Sequence, residues 1–223
     1  MTKLLENIHR SVNIGLVNEM KIISDSMDID INEVISAAST KPFGFLPFYP
    51  GPGLGGHCIP IDPFYLSWKA SKIGVDTKFI KLAGKINSAI PGIIVKKIRK
   101  ILKQKKKTKP KILILGVAYK KNINDLRESP GVKIIDILKK YKYHIQYNDP
   151  HIPYIPQMRN YNLKLKSIKL SSINLKKFDL TVLITDHDLY DYEKIYKHSK
   201  LIIDTRSVYS KDKKKVISNY YNI

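Results

Sequence analysis

The sequence predicts an α/β fold in which a helical first part is followed by a Rossmann-like parallel-sheet domain. Three observations support this prediction. Helical patterns fill most of residues 1–107, and the hydrophobic pattern changes at Lys109. From there short apolar strands alternate with helical segments. Strands that alternate with helices form parallel, doubly wound sheets. We therefore expect a helical domain over residues 1–107 and a sheet domain over residues 108–223, both of ordinary domain size.

The first two helices are predicted from apolar spacing and from a helix cap. Between Lys3 and Met27 the apolar residues recur every three or four positions, which is the stripe of an amphipathic helix. The stripe consists of Leu5, Ile8, Val12, Leu16, Met20, Ile23 and Met27. Asp30, with Glu33 three residues later, has the capping-box pattern that opens a second, short helix ending at Ala38.

A long loop of unusual composition follows the second helix. Residues 40–63 contain six prolines and five glycines, together with several aromatic residues that we expect to be buried. A connection of this length without regular structure is usually functional or disordered, and buried aromatic side chains argue against disorder. We therefore expect an ordered functional loop over residues 41–63, which we call the cysteine loop.

Two more helices complete the first domain. A helical pattern runs from Ile61 to Ile73, and a longer one runs from about Asp76 towards Lys107. Pro91 lies inside the longer pattern, where it is expected to kink or break the helix because it lacks a backbone N–H group. This longer helix connects the two predicted domains.

The second domain begins with the apolar run KILILGVAY at residues 111–119, which predicts a buried parallel strand. Ser129 and Pro130 then occupy the N-cap and first-turn positions of a helix that extends to Lys140. Three further strands are predicted within HIQYNDP, DLTVLITDHDLYDYEKIY and KLIIDTR, and the second stretch also contains a helix. We interpret TDHD, at residues 185–188, as the N-cap of that helix and predict no metal site, because suitably spaced ligands are not evident.

The chain is strongly basic, with a net charge of +21 over 223 residues, but its lysines are spread along the whole length. Such a charge is compatible with nucleic acid or an anionic membrane, yet no nucleic-acid-binding motif accompanies it. We therefore predict neither partner. A drift of the overall composition towards lysine and a small substrate that carries phosphate are the two explanations we consider for the positive charge. Apolar runs are shorter than the roughly 20 residues that span a bilayer, and the N-terminal residues do not resemble a signal peptide. We expect a cytoplasmic protein.

Cys58 is the only cysteine, and it lies in the stretch GPGLGGHCIPIDPFYL. A single cysteine excludes an intramolecular disulfide and a multi-thiolate zinc site, and it suits a reducing compartment. Gly55 and Gly56 can adopt positive φ and let backbone amides approach a ligand, so Cys58 could be a nucleophile beside an oxyanion site. Asp62 could position a water molecule or accept its proton. An inert cysteine in a turn stays open, and His57 is interpreted as packing within the loop.

Two further groups of polar residues are candidates for ligand binding. Lys3 and Asn7 are four residues apart on one helix face, where they could hold an anion or a developing alkoxide, or simply be solvated. Lys120, Arg127 and Arg206 follow predicted strands, at the edge where α/β sheets bind ligands, and suit phosphate. In a chain this basic, solvated side chains are the alternative. The first turn of the sheet, LGVAYKKNIND, lacks the G-x-G-x-x-G fingerprint of dinucleotide-binding sheets.

Several separated stretches, in a consistent order, resemble one family. GPGLGGHCIPIDPFYL resembles the catalytic-cysteine loop of the UDP-glucose/GDP-mannose dehydrogenases, the nucleotide-sugar dehydrogenases. KLLENIHRSVNIGLVNE resembles the start of the family's central helical domain, and GVAYKKNINDLRESP and LIIDTR resemble signatures of its UDP-binding domain. The histidine before the cysteine, the preceding KPFGFLPFYPG and the residue Ile61 resemble the branch that oxidises UDP-N-acetylglucosamine and related UDP-N-acetylhexosamines. The resemblance covers essentially the whole chain.

The resemblance implies an NAD-dependent oxidation of the sugar C6 alcohol to a carboxylate, through a cysteine thiohemiacetal and thioester. It implies that Cys58 is the nucleophile and that Asp62 activates or positions water. Lys3 and Asn7 would stabilise the oxyanion and hold the sugar. These roles are expectations carried by the resemblance.

The resemblance also implies binding residues and partners. Gly55 and Gly56 would keep the loop backbone close to the sugar, Lys120 and Arg206 would contact the UDP-sugar, and Arg127 would reach the phosphates of NAD. Members of the family commonly pair through the central helical domain, so a homo-oligomer is expected. The expected product is a precursor of surface polysaccharides.

In this family an NAD-binding Rossmann domain precedes the central domain, whereas here Met1 falls just before the predicted catalytic lysine. We therefore expect the chain alone to bind a UDP-sugar without producing NADH, unless a separate chain supplies the NAD-binding domain. Two alternatives stay open: an inactive remnant that binds UDP-sugar or only dimerises, and a UDP-glucose 6-dehydrogenase. Nucleic-acid binding would instead require salt-sensitive association that survives excess UDP-sugar.

Overall fold

The computed structural model describes residues 1–209 and 219–223 of a chain that divides into two compact units, Met1–Ile90 and Pro91–Ile223. The first unit is helical and the second is built on a parallel sheet, so the predicted α/β fold is confirmed. The division at residue 90 lies inside the longest helix, whereas the sequence analysis places the domain boundary at residue 107, beyond the end of that helix.

The helices of the first half begin and end close to their predicted positions. They are α1 (Thr2–Ser26), α2 (Ile31–Ala38), α3 (Asp62–Ser71) and α4 (Lys78–Gln104). Asp30 is the N-cap of α2 and accepts a hydrogen bond from the N–H group of Asn32 over 2.9 Å. Helix α4 continues through Pro91, so a break there is the wrong prediction. Burial of Ile90 and Ile94, on either side of the proline, holds the helix together despite the lost hydrogen bond.

The buried face of α1 is not the apolar stripe seen in the sequence. Its buried residues are Ile8, Ser11, Gly15, Asn18 and Ser24. Most of the stripe is instead exposed, by 37 to 70%: Leu5, Leu16, Met20, Ile23 and Met27. These small and polar residues let α4 approach α1 closely. A Cβ added at Gly15 of α1 would lie only 3.4 Å from Nδ2 of Asn87, which belongs to α4. The stripe of α1 is therefore an apolar surface that the first unit leaves uncovered.

The second unit contains seven strands and three helices among its described residues, besides the end of α4. The strands are β1 (Lys111–Leu115), β2 (His144–Asn148), β3 (Tyr154–Gln157), β4 (Asn162–Lys166), β5 (Leu180–Leu183), β6 (Ile202–Asp204) and β7 (Tyr220–Asn222). The helices are α5 (Pro130–Lys139), α6 (Ser172–Lys177) and α7 (Tyr192–His198). The sequence patterns predict six of these elements and give no indication of the other four. The predicted elements are β1, β2, β5, β6, α5 and α7, and the others are β3, β4, β7 and α6.

Five strands form one parallel sheet in the order β2-β1-β5-β6-β7, and β3 and β4 form a separate antiparallel pair. From β1 the chain passes to β2 on one side and later returns to β5 on the other. The loops after β1 and β5 therefore leave the sheet side by side at its carboxyl edge, which is where α/β sheets bind ligands. Among the described residues, no helix combines the length and the apolar character needed to cross a bilayer.

Candidate active site

Cys58 lies immediately before helix α3, and its carbonyl group opens the turn that leads into that helix. The N–H groups of Ile61 and Asp62 donate to this carbonyl oxygen over 3.0 and 2.8 Å. Gly56 adopts a φ of +87°, a conformation that a residue with a Cβ rarely takes, whereas Gly55 is not among the positive-φ glycines. Cys58 is partly exposed, and its thiol forms no disulfide. The loop thus places a free thiol one turn before Asp62.

Two of the candidate catalytic residues are in direct contact. Asn7 Nδ2 donates to Asp62 Oδ2 over 2.7 Å, although the two residues are 55 positions apart in the sequence. Asp62 is the first residue of α3, where a carboxylate interacts favourably with the helix dipole. Because the N–H group of Asp62 also bonds to Cys58, the three residues are linked, and we call them the Asn7–Cys58–Asp62 cluster.

Lys3 lies one helical turn before Asn7 on α1 and is exposed. Within residues 1–209 and 219–223, its ammonium group has neither a hydrogen-bond nor an ion-pair partner. A cation without a partner, beside an amide that is held in place, can receive a developing negative charge on a ligand.

Several side chains of the cysteine loop are more exposed than the sequence analysis predicted. Phe43 and Tyr49 are 85% and 57% exposed, so the expectation of buried aromatic residues is wrong for them. His57 is also exposed, and its predicted packing within the loop is wrong. The physical reason is that the first half of this loop forms no regular structure and does not fold over its own aromatic side chains.

A buried polar network, which the sequence analysis missed, holds the loop further upstream. Asn18 Oδ1 accepts a hydrogen bond from the N–H group of Gly51 over 3.0 Å. Asn18 Nδ2 donates to Asn87 Oδ1 over 3.3 Å, and Asn87 Nδ2 donates to the Ser11 carbonyl oxygen over 2.8 Å. Helix α1 therefore holds segment 51–62 at both ends, at Gly51 through Asn18 and at Asp62 through Asn7. A second face of α1, formed by small and polar residues, is the feature of the sequence that indicates this network.

At the carboxyl edge of the sheet, the loop after β1 packs tightly against the loop after β5. Gly116 has a φ of +79°, and a Cβ added there would lie 2.5 Å from the carbonyl oxygen of Thr185. The hydroxyl group of Thr185 donates to the Ala118 carbonyl oxygen over 2.6 Å. Lys120 follows in the same loop and is exposed, without a partner among residues that the structure describes.

Asp149 directly follows β2, and its carboxylate binds the turn after β1, which is the first turn of the sheet. Its Oδ2 atom accepts hydrogen bonds from the N–H groups of Val117 and Ala118 over 2.7 and 2.9 Å and lies 3.0 Å from Nε2 of His187. Burial alone would raise the pKa of Asp149, but the hydrogen bonds from His187 and from backbone N–H groups outweigh it and lower the pKa. Dinucleotide-binding sheets present these amides to the pyrophosphate. The residues of this turn therefore do not fit NAD.

The interpretation of TDHD as a helix N-cap is wrong. The N-cap of α7 is Asp191, which accepts a hydrogen bond from the N–H group of Lys194 over 2.9 Å. His187 and Asp188 contact the loop after β1 instead, where Asp188 pairs with Lys121 over 3.0 Å. This contact raises the pKa of Lys121 through its hydrogen bond and charge. Within the described residues, no group of three or more His, Cys, Asp or Glu side chains could hold a metal ion.

The two arginines of the candidate site are both engaged by protein atoms. Arg206, after β6, donates through Nε to the Ile184 carbonyl oxygen over 2.8 Å and lies 3.6 Å from Asp186. It therefore reaches the loop after β5 from the side opposite to the Lys120 loop. Arg127 is exposed and forms a paired contact with Asp125, with Nη2 2.6 Å from Oδ2.

Comparison with known proteins identifies both halves of the chain. The model of the UDP-glucose/GDP-mannose dehydrogenase family, central domain, matches residues 1–89, and that of the same family's UDP binding domain matches residues 113–211. Together the two matches cover most of the sequence, in the order found here. The change from one to the other falls between residues 89 and 113, around the second half of α4.

Named relatives agree with the family models. The UDP-N-acetyl-D-mannosamine dehydrogenase of Methanococcus vannielii is 34% identical over 216 residues, which are 93% of this chain and 47% of the relative. The NDP-N-acetyl-D-galactosaminuronic acid dehydrogenase of Ralstonia nicotianae is 32% identical, over 94% of this chain and 48% of its own length. The solved UDP-D-ManNAc dehydrogenase from Pyrococcus horikoshii is 28% identical, with a TM-score of 0.82 over 99% of this chain and 50% of its own.

The chain thus spans about half the length of the relatives that it matches. Within that span, the family models, the relatives and the fold agree with one another. The chain belongs to the UDP-glucose/GDP-mannose dehydrogenase family.

Proposed function

We propose that this chain carries the sugar-oxidising and UDP-binding parts of a nucleotide-sugar 6-dehydrogenase that acts on a UDP-N-acetylhexosamine. The observation that most supports the proposal is the Asn7–Cys58–Asp62 cluster. It places a residue with a free thiol one turn before a carboxylate that an amide donor holds, and these are the groups needed to form and hydrolyse a thioester. Family membership makes oxidation of a nucleotide sugar the reaction class that fits these groups.

In the proposed reaction the sugar C6 is oxidised twice. The alcohol first loses a hydride and its hydroxyl proton, which passes to solvent, and becomes the aldehyde; the oxyanion that Cys58 then forms loses a second hydride and becomes the thioester. NAD, when bound, would supply the acceptor for each hydride. The Cys58 thiolate adds to the C6 aldehyde and forms a C–S bond, so that the carbonyl oxygen becomes an oxyanion. The ammonium group of Lys3 and the amide of Asn7 stabilise this charge.

Hydrolysis of the resulting thioester is the role proposed for Asp62. Water attacks the thioester carbon, Asp62 accepts a proton from that water, and the C–S bond breaks with release of the Cys58 thiolate. The hydrogen bond from Asn7 fixes the carboxylate, which leaves its other oxygen to bind water. The product is the uronic acid.

The second unit is proposed to bind the uridine diphosphate. Lys120 and Arg206 lie on loops that flank the loop after β5 at the carboxyl edge of the sheet, and their positive charges suit a diphosphate. Gly55 and Gly56 are proposed to let the cysteine loop approach the sugar. We retain Arg127 as a ligand for the phosphates of NAD, which requires it to exchange its contact with Asp125 for them.

The acetamido sugar is proposed from the names of the relatives. The Methanococcus vannielii relative is named for UDP-N-acetyl-D-mannosamine, and the Ralstonia nicotianae relative for an N-acetyl-D-galactosaminuronic acid. Both are N-acetylhexosamine derivatives, which supports the branch that the histidine beside Cys58 and the loop before it resemble. We therefore place UDP-N-acetylmannosamine first among candidate substrates, with UDP-N-acetylglucosamine and UDP-glucose as the comparisons.

A second copy of the chain is the proposed partner of the exposed α1 stripe. Leu16, Met20, Ile23 and Met27 form a continuous apolar surface along three turns of the helix. Such a surface is costly in water and can pack on itself about a two-fold axis. This proposal agrees with pairing through the central helical domain, which the resemblance implies.

Titration calorimetry on the 223-residue chain tests the proposed function. We expect UDP-N-acetylmannosamine and UDP to bind, UDP-glucose to bind more weakly than the acetamido sugar, and NADH fluorescence to stay at background when NAD is added to the chain alone. Fusion to the N-terminal half of the Methanococcus vannielii relative should restore NADH formation, and the Cys58→Ala fusion should not form it. Binding without any turnover in the unmutated fusion would favour an inactive remnant.

A further inference from the structure

We propose that His187 is a positioning residue for UDP binding, because it and Asp149 fix the loop that presents Lys120 to the diphosphate. This inference rests on the proposed function, in which Lys120 contacts UDP. Neither His187 nor Asp149 takes part in the proposed reaction. The inference also explains why a histidine is fully buried at the carboxyl edge of the sheet.

The hydrogen bonds of His187 define its tautomer. Its Nδ1 atom accepts a hydrogen bond from the backbone N–H group of Asn122 over 3.0 Å. Since a backbone N–H group can only donate, Nδ1 carries no proton, and the proton resides on Nε2. Nε2 lies 3.0 Å from Asp149 Oδ2, to which it donates. The imidazole is therefore neutral and bridges the carboxylate to the loop.

The same carboxylate holds the loop on the other side of Lys120. Asp149 Oδ2 accepts from the N–H groups of Val117 and Ala118, whereas His187 binds the N–H group of Asn122. The backbone is thus held before and after Lys120, in a loop where Asn122 adopts a φ of +60°. Neither holding group forms a hydrogen bond with the Lys120 side chain, so that side chain stays available for a ligand.

The two neighbouring lysines of the loop differ in their surroundings. Lys121 is paired with Asp188, and Asn122 exchanges side-chain and backbone hydrogen bonds with the same residue. Lys120 has no partner among the described residues and is exposed. The arrangement therefore engages one lysine in holding the loop and leaves the other for the diphosphate.

Aromatic rings restrict the orientation of the imidazole. The ring of His151 lies 4.9 Å from that of His187 between centroids, and the ring of Tyr190 lies 5.5 Å away on an edge-to-face contact. The Tyr190 hydroxyl donates to the Asn148 carbonyl oxygen over 2.8 Å and does not take part in the contact with Asn122. Tyr190→Phe is therefore a matched control, since it keeps the ring that packs on His187 and removes only the hydrogen bond to Asn148.

Two variants of His187 separate its two hydrogen bonds. His187→Asn keeps an oxygen near the position of Nδ1 and can accept from Asn122, whereas His187→Gln keeps a donor near the position of Nε2 and loses the Asn122 contact. We expect His187→Gln to weaken UDP binding about tenfold in titration calorimetry, His187→Asn to weaken it less than threefold, and Tyr190→Phe to leave it unchanged. Equal affinities of the wild type and His187→Gln would overturn the proposal.

A double-mutant cycle distinguishes positioning of Lys120 from a general loss of stability. In the Lys120→Met background, His187→Gln should have no further effect on UDP affinity, because its action passes through the lysine. A full additional tenfold loss in that background would show that His187 does not act through Lys120.

Nuclear magnetic resonance on the wild type keeps the proposal testable if the variants do not fold. We expect the imidazole nitrogens of His187 to show the neutral Nε2–H form and the Asn122 amide to exchange slowly; a charged ring or the other tautomer would overturn the inference. If the wild type binds no UDP, the proposed function fails, and amide exchange still decides the positioning role. Faster exchange at Asn122 in His187→Gln supports that role, and equal exchange contradicts it.

Discussion

The side-chain amide of Asn7 donates to the carboxylate of Asp62 over 2.7 Å and so joins helix α1 to the first turn of helix α3, one turn after Cys58. We predict that Asn7→Ala lowers the free energy of unfolding by about 2 kcal/mol, because hydrogen bonds to charged groups contribute about 1.5–3 kcal/mol. Urea unfolding measures this effect.

Asp62→Asn is the matched control, because it keeps an oxygen that can accept from Asn7 and removes only the charge. We expect it to retain most of the stability while abolishing hydrolysis of the thioester in the fused enzyme. If Asn7→Ala unfolds at the same urea concentration as the wild type, the contact has no energetic role.

The buried amides on the inner face of α1 give a second prediction. Asn18→Ala leaves the N–H group of Gly51 and the Oδ1 atom of Asn87 without their partner, and should cost about 2 kcal/mol of stability. Asn13→Ala is the control: Asn13 donates to the His9 carbonyl oxygen on the exposed side of the helix, and its loss should cost less than about 0.5 kcal/mol. Equal effects of the two substitutions in urea unfolding would contradict the prediction.

A glycine pair tests the close approach of the loops at the sheet edge. Gly116→Ala introduces a Cβ 2.5 Å from Thr185 at a φ of +79°, and should destabilise the chain by about 3 kcal/mol or more. Gly92→Ala, inside α4 with open space around the added Cβ, should stabilise it by up to about 1 kcal/mol. Thermal unfolding measures both, and the expected shifts have opposite signs.

Stability should depend on pH through Asp149. Its pKa is lower in the folded chain than in the unfolded chain, so the ionised carboxylate stabilises the fold above the unfolded pKa of about 3.9. That stabilisation is lost as the pH falls through the lower folded value. We predict that Asp149→Asn costs about 3 kcal/mol or more at neutral pH and that its difference from the wild type shrinks below about pH 4.

The control for this pH series is Asp76→Asn, which removes the carboxylate of an exposed ion pair with Lys81. Its effect on the free energy of unfolding should stay within about 1 kcal/mol throughout. A gap between Asp149→Asn and the wild type that stays constant to about pH 2 would show that the carboxylate is not responsible.

The exposed stripe of α1 predicts self-association. Leu16→Glu combined with Ile23→Glu places two charges on the stripe, two turns apart, and should convert a dimer to a monomer in sedimentation velocity. Ser36→Glu adds a charge on the exposed side of α2 and should leave the dimer intact. A wild-type chain that sediments as a monomer at high concentration would contradict the proposed partner.

Apolar periodicity and caps were enough to predict the helices of the first half and four strands of the parallel sheet. The strand β1 shows why: Ile112, Leu113, Ile114 and Leu115 are all fully buried, so an uninterrupted apolar run is the only pattern that fits. The strands β3 and β4 carry charged and polar residues at exposed positions and present no such run. Strand β7 has only three residues, too few for a pattern.

Long-range contacts account for what the sequence could not show at the candidate site. The spacing of Lys3 and Asn7 defines one helix face, but nothing local indicates that Asn7 meets Asp62 across 55 positions. The local pattern of TDHD indicates a helix cap, whereas His187 and Asp188 bind the loop after β1, 65 and 66 positions away. Polar residues that act between distant loops have the same local pattern as caps and turns.

The carboxylate of Asp149 also limits how this Rossmann-like sheet could evolve or be redesigned. Its oxygen occupies the two amides to which a cofactor's pyrophosphate would bind, and its negative charge would repel that group. Installing the missing glycines alone would therefore not create a nicotinamide site in this sheet. Removing the aspartate to free those amides would also release the loop that carries Lys120, the proposed diphosphate ligand. A gain in dinucleotide binding would therefore weaken the proposed binding of UDP.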